Sequence, residues 1–239
     1  MEDNNEYTVY DSASSAKNVS QQPALPNEYL YREGNAGMLG LLGFFFAVFP
    51  SSVLDAIDPT VPKQIIFMYL TLFGGLLQIY AGSKDFHHGN TFTACIFSVF
   101  GYAWVGEGIM AGNLQVLQPT TTGATPSNDY ATVMGVYLTT LTLMNTIFLI
   151  LSWHHPRGSL LLFITLGFVE GRLLGSTAGA FTANHKITQF GAYFGAIGAL
   201  LALYSFIAEA YAEEGIVLPT GKFDEVVTKR RPYKGEKNV

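Results

Sequence analysis

Polar and apolar positions in this chain fall into long alternating blocks. Six predominantly apolar runs cover residues 36–56, 65–82, 92–112, 130–153, 159–181 and 187–211. Each is close to the roughly 17–25 residues that a helix needs to cross the hydrocarbon core of a bilayer. Four of the separators are short and rich in turn formers: DPTVPK at 58–63, SKDFHHGN at 83–90, HHPRG at 154–158 and TANHK at 182–186. The third connection, residues 117–129, is longer, and its Pro, Gly and Thr content marks a loop outside the bilayer. The pattern predicts an all-α membrane protein with six transmembrane helices over residues 35–214, between a tail of residues 1–34 and a basic tail of residues 215–239. No interval between the helices is long enough to hold a soluble domain.

Composition points the same way. Charged residues make up 13% of the chain and hydrophobic ones 49%, whereas about a quarter of an ordinary soluble domain is charged. Of the 31 Asp, Glu, Lys and Arg residues, only 12 fall between residues 36 and 211, so the tails carry most of the charge. The first 34 residues are polar and lack the apolar core of a signal peptide, so the first run is expected to remain as a span. Basic flanks set topology. Lys17, Arg32, Lys84, Arg157 and the tail from Lys222 onward would share one side, against Lys63 and Lys186 on the other, which predicts both termini in the cytoplasm. The composition of both tails predicts disorder. The tyrosines and serines of residues 7–15 are candidate phosphorylation sites, and the glycosylation sequon at Asn18 would be silent on that side.

Candidate chemistry is sparse. His87 with His88, and His154 with His155, are adjacent pairs, and neighbouring positions on a helix diverge by about 100°, a poor grip for one metal ion. There is no nucleophile elbow, no His-Glu-x-x-His and no phosphate-cradling glycine loop. Neither an enzyme, a cofactor, a metal site nor a nucleic-acid partner is expected, and the lone Cys95 reads as a packed side chain. Ionisable residues inside spans are costly and are functional candidates by default, which singles out Glu107, Glu170 and Arg172. A position near the outer interface, or an ion pair, is the plain alternative. Glu170 and Arg172 are two apart and point to nearly opposite sides of a helix, so such a pair requires another span. Asn35 and Asn90 open the first and third spans, where asparagine caps helix N–H groups and the helix end favours an anion. Gln78 and Ser98 lie within spans. Glycines at 171, 175 and 179, and Gly191, Gly195 and Ala199, line single helix faces and suit close helix packing, within a subunit or between subunits.

The segments GGLLQIYAG (74–82), GNTF (89–92), FSVFGYAW (97–104) and GVYL (135–138) resemble the acetate uptake transporter family. NAGMLGL at 35–41 lines up with its signature Asn-Pro-Ala-Pro-Leu-Gly-Leu, without the two prolines. That family contains bacterial succinate/acetate permeases and fungal acetate and ammonia-export permeases. The resemblance spans residues 35–214 and implies six helices around a central pathway in each subunit, assembly as a homohexamer in the plasma membrane, and a small carboxylate such as acetate as substrate. Ammonium and protons are the other implied passengers. It implies an apolar constriction from one residue of each odd-numbered span: Phe44, Phe100 (often Tyr in the family) and Leu166. The polar set Asn35, Gln78, Asn90, Thr91 and Ser98, at span starts or within spans, is expected along the substrate pathway.

Phe100 and Glu107 are seven residues apart, and Leu166 and Glu170 four apart, so each acid is expected on about the same helix face as a constriction residue, on its outer side. The two glutamates are therefore expected in an outer vestibule, either paired with Arg172 or serving with it as a proton or charge relay. Proton-coupled or neutral-acid uptake is one outcome, and passage of a cation such as ammonium is the other. A reading from a different class is a membrane sensor or regulator that has lost transport, with its first tail as signalling element.

Overall fold

The computed structural model describes residues 34–61, 66–112, 128–155 and 158–221, and its regular elements there are helices. They are α1 (Ala36–Ile57), α2, α3 (Thr91–Gly112), α4 (Asn128–His154), α5 (Leu160–Thr182) and α6 (His185–Glu213). The second helix, α2, begins as a π-helix over Tyr69–Leu77 and continues as an α-helix over Gln78–His87. By length and composition α1, α3, α4, α5 and α6 can each cross a bilayer, and α2 supplies a sixth rod of mixed coil. The chain divides at Asn35: all six helices belong to the unit that starts at Ala36. Residues 1–33 and 222–239, most of the third connection, and with them Lys17, Arg32, Lys63, Arg157 and the basic residues from Lys222 onward, lie outside the described residues. So do the candidate phosphorylation sites and the sequon at Asn18.

Local chemistry explains where the helices stop. The polar hinge after α2 is shorter than the hydropathy pattern predicts, because Ser83, Lys84 and Asp85 continue the helix to His87. The chain turns only at Gly89, whose φ of 72° is a left-handed conformation that glycine tolerates best. Ser159 caps α5 by accepting from the Leu162 amide at 3.1 Å, and Asn184 caps α6 by accepting from Lys186 at 3.1 Å. After α1, Asp58 accepts from both the amide and the hydroxyl of Thr60, at 2.9 and 2.7 Å. Those two donors hold its carboxyl below the usual carboxylate range.

The helices pack as neighbours in the order α4, α5, α6, α1, α2, α3. Small residues set how closely they approach. A methyl group on Gly175 of α5 would lie 2.5 Å from the Gly191 Cα of α6, so the two backbones touch. Gly171 lies under the Phe194 ring, while Ala199 is fully buried. These glycines therefore pack α5 on α6 within one subunit. The wide π-helical turns press into both neighbours, since a methyl on Gly74 would meet Ala47 of α1 and one on Gly75 would meet Val105 of α3, each at 2.5 Å. Large side chains bridge α3 and α4: the Tyr137 hydroxyl donates to the Ala103 carbonyl at 3.1 Å, and Phe148 meets Phe92 and Phe100 at 6.4 and 6.3 Å between ring centroids.

Beyond α6 the chain folds back under α5. The Leu160 and Leu161 amides donate to the Gly221 and Thr220 carbonyls at 2.9 and 3.2 Å, and the Tyr204 hydroxyl donates to Pro219 at 3.1 Å. These carbonyls satisfy N–H groups that a helix start leaves open.

Replacing Gly175 by Val forces α5 off α6. The expected cost is about 2 kcal/mol or more, seen as a lower thermal midpoint of the detergent-solubilised protein. Gly167→Val, at a position with nothing within 4 Å of its would-be side chain, is expected to cost less than about 1 kcal/mol.

Candidate functional site

A cavity of about 590 Å³ lies inside the half of the bundle that holds the end of α1 and the start of α6. It runs from Phe44 and Phe100 at mid-helix to Pro59, Ala183 and His185 at the helix ends. All helices except α2 contribute to its wall. Most of the wall is apolar, with Val48, Trp104, Met134, Leu138, Leu141, Val169 and Leu173. The polar exceptions include Asp55, Glu107, Tyr137, Arg172 and His185.

The floor is aromatic. Phe44 and Phe100 meet edge to face with centroids 6.3 Å apart and an interplanar angle of 76°. Leu166 belongs to the same buried cluster, one turn below Val169 of the wall. Of the three residues nominated for a constriction, Phe44 and Phe100 meet at the inner limit of the cavity, while Leu166 is buried on α5 and does not line it.

Arg172 is buried, and its guanidinium reaches across from α5 to the last turns of α1. It donates to the hydroxyls of Ser52 at 2.7 Å and Ser51 at 3.1 Å, and it lies 3.4 Å from the Asp55 carboxylate. Glycine at 195 makes this possible: a methyl there would stand 2.5 Å from the Arg172 Cδ. Pro50 lies one residue before these serines and cannot donate to the helix ladder. Ser51 in turn donates to the Val48 carbonyl at 3.1 Å.

Glu170 is elsewhere. Its two carboxylate oxygens accept from Asn145 at 2.6 Å and from Thr146 at 2.7 Å, both on α4, and Asn145 also donates to the Leu166 carbonyl at 3.0 Å. The expectation that both glutamates share the vestibule is corrected accordingly: Glu107 is on the cavity wall and Glu170 is in the α4–α5 seam. The helix turn explains this. Leu166 already sits at the edge of the α5 stripe that faces the cavity, about 60° from Val169, and Glu170 is displaced about 40° further the same way. Four-residue spacing keeps two side chains on one face only when the first is near the middle of that face.

The remaining nominated residues do not meet at the cavity. Gln78 is fully buried in α2, close to Gly43 of α1, and neither atom of its amide has a partner among the described residues. Ser98 packs against Gly82 of α2. Asn90 and Thr91 are at the turn between α2 and α3, where the Asn90 carbonyl accepts from the Ala94 amide at 3.0 Å. Asn35, exposed, precedes α1. Among the described residues no group of His, Cys, Asp and Glu is arranged to hold a metal ion. His87, His88 and His154 are exposed, and His155 stacks on Phe92 with 4.7 Å between centroids.

The sequence reading missed Asp55, Ser51, Ser52, Asn145 and Thr146. A signal for Ser51 and Asp55 existed: Phe44, Val48, Ser51 and Asp55 recur at helical spacing on one face. Nothing in the spacing of α4 distinguishes Asn145 from its other polar residues.

A model of the GPR1/FUN34/yaaH family matches residues 19–223. An uncharacterized protein of Methanothermobacter thermautotrophicus is 28% identical over 184 residues, covering 76% of this chain and 87% of its own. Ammonia transport outward protein 3 of Saccharomyces cerevisiae is 27% identical over 169 residues, 70% of this chain and 59% of that protein. Acetate permease A of Emericella nidulans is 27% identical over 197 residues, 78% of this chain and 65% of that protein. The chain thus spans less than two thirds of the length of these last two relatives. Among solved structures, the bacterial acetate channel SatP superposes with a TM-score of 0.68 at 24% identity, over 80% of this chain and all of that one, a likeness of fold.

Asn145→Ala would leave the Glu170 carboxylate and the Leu166 carbonyl short of a donor in a buried seam. The expected loss is about 2–3 kcal/mol, measured as a fall in thermal midpoint. Ser83→Ala, which removes an exposed hydroxyl bonded to the Ile79 carbonyl, is expected to leave the midpoint in place.

Proposed function

The chain belongs to the GPR1/FUN34/yaaH family, and from that premise we propose that it carries acetate-like small monocarboxylates across a membrane. The cavity is the outer vestibule of the pathway, and Phe44, Phe100 and Leu166 form its apolar constriction. The observation that supports this reading is the edge-to-face pair of Phe44 and Phe100, from two of the odd-numbered helices, at the foot of a largely apolar cavity. An apolar neck of this kind gates by packing and dewetting, since a charged solute must shed water to pass. The name of the Emericella relative supports the substrate class.

Among the described residues the cavity wall carries two acids, Asp55 and Glu107, and one guanidinium, that of Arg172, with His185 near the helix ends. That balance repels bare anions and favours entry of the neutral acid, or of a carboxylate together with a proton. It equally favours a cation. Ammonium export is therefore the second reading, supported by this excess of acids and by the name of the Saccharomyces relative. Glu170 takes no direct part, being held by α4.

Purified protein in proteoliposomes is expected to take up labelled acetate, and Phe100→Ala is expected to raise the flux roughly twofold or more by widening the neck. Flux unchanged in both Phe44→Ala and Phe100→Ala removes these residues from the constriction. Glu107→Gln is expected to raise uptake at pH 7 relative to pH 5 by about threefold, because the anion is no longer repelled. A wild-type pH profile in that variant refutes the filter. Ammonium flux without acetate flux in the same vesicles selects the second reading.

A further inference from the structure

Arg172 and Asp55 both line the cavity, but the two serines that hold the guanidinium do not; Ser51 and Ser52 are fully buried behind it. Resting on the transport reading, we propose that this ion pair is a carboxylate-exchange site. A monocarboxylate entering the vestibule takes the place of Asp55 on Arg172, and Asp55 takes up the proton of the entering acid.

Three features carry the proposal. First, the distances rank the partners: 2.7 and 3.1 Å to the neutral serines, 3.4 Å to the carboxylate. The last exceeds the usual N–H···O range of about 2.7–3.2 Å. The serines and the close-fitting Gly195 thus fix the guanidinium, while its anionic partner is held at a looser distance on the open side. Second, the guanidinium fork matches a planar carboxylate, so a free acid can dock on it with two parallel bonds. Third, the exchange conserves charge in a place where charge is costly. A neutral acid enters, its O–H bond breaks, and the proton forms a bond to a carboxylate oxygen of Asp55. The substrate carboxylate then pairs with Arg172 in place of the neutralised Asp55. No unpaired charge is created at any stage, which matters because an uncompensated buried charge is strongly unfavourable.

The other titratable groups on the cavity wall are Glu107 from α3, Tyr137 from α4 and His185 at the start of α6. Glu107 adds a second negative charge that would oppose the distal carboxylate of a dicarboxylate. The site therefore selects monocarboxylates. Trp104, also on the wall, has a buried indole N–H with no acceptor among the described residues, a further donor available in this region.

The test uses the full-length protein and sodium acetate, read as acetate-dependent thermal stabilisation in detergent and as labelled uptake in proteoliposomes. Asp55→Asn, which cannot compete as an anion, is expected to lower the half-saturating acetate concentration for stabilisation about tenfold and to cut the maximal uptake rate at least as much. Arg172→Gln is expected to abolish acetate-dependent stabilisation. Half-saturation that is unchanged or raised in Asp55→Asn overturns the exchange, as does stabilisation that survives in Arg172→Gln. If Asp55→Asn does not fold, Ser52→Ala keeps both charges and releases one anchor; it is expected to raise half-saturation severalfold, and an unchanged value overturns the proposal. Wild-type stabilisation without uptake defeats the transport reading and leaves the site standing. Uptake that is indifferent to both charged residues does the reverse.

Discussion

A guanidinium among membrane-crossing helices cannot face the hydrocarbon and must be satisfied by partners in the protein or by a cavity that it lines. The region around Arg172 is organised by that requirement. The charge sits on α5, its hydroxyl and carboxylate partners on the last turns of α1, and the space it occupies exists because α6 has glycine at 195. Three helices are tied together at one depth, just above the aromatic floor made by Phe44 and Phe100. The cavity is the volume left on the open side of that knot.

The same requirement governs Glu170, with a different result. Its oxygens are taken up by Asn145 and Thr146, so this second intramembrane charge stitches α4 to α5. One helix thus carries two charged residues two positions apart with opposite assignments, one facing the cavity and one facing a neighbour. Between them the glycine contacts of α5 with α6 set the helix spacing, and a bundle packed backbone to backbone on one side leaves its free volume on the other.

Much of the architecture was legible in the sequence. Run lengths of apolar residues locate the helices to within a few positions, because a bilayer demands a minimum length and turn residues end it. The seam glycines at 171 and 175 follow from their spacing alone. The site was only partly legible. Phe44, Phe100 and Leu166 were nominated through resemblance to a family, whereas Gln78, Ser98, Asn90 and Thr91, nominated as polar residues at or within spans, lie away from the cavity. Asp55 was overlooked although it lies inside the first span, two residues before the end of α1.

What the sequence determined by itself is a membrane-crossing helical chain, its segment boundaries, and the presence of a few charges that could not remain unsatisfied. Hydropathy and length act locally, residue by residue, and so survive without knowledge of partners. Which charge meets which partner is a matter of helix rotation and of which helices are neighbours. A difference of about 40° in rotation carries Glu170 away from the cavity, and contact with Ser51, Ser52 and Asp55, more than a hundred positions earlier in the chain, holds Arg172 at its edge. Only the packed tertiary structure decides those angles and distances, because they arise from all six helices fitting together at once.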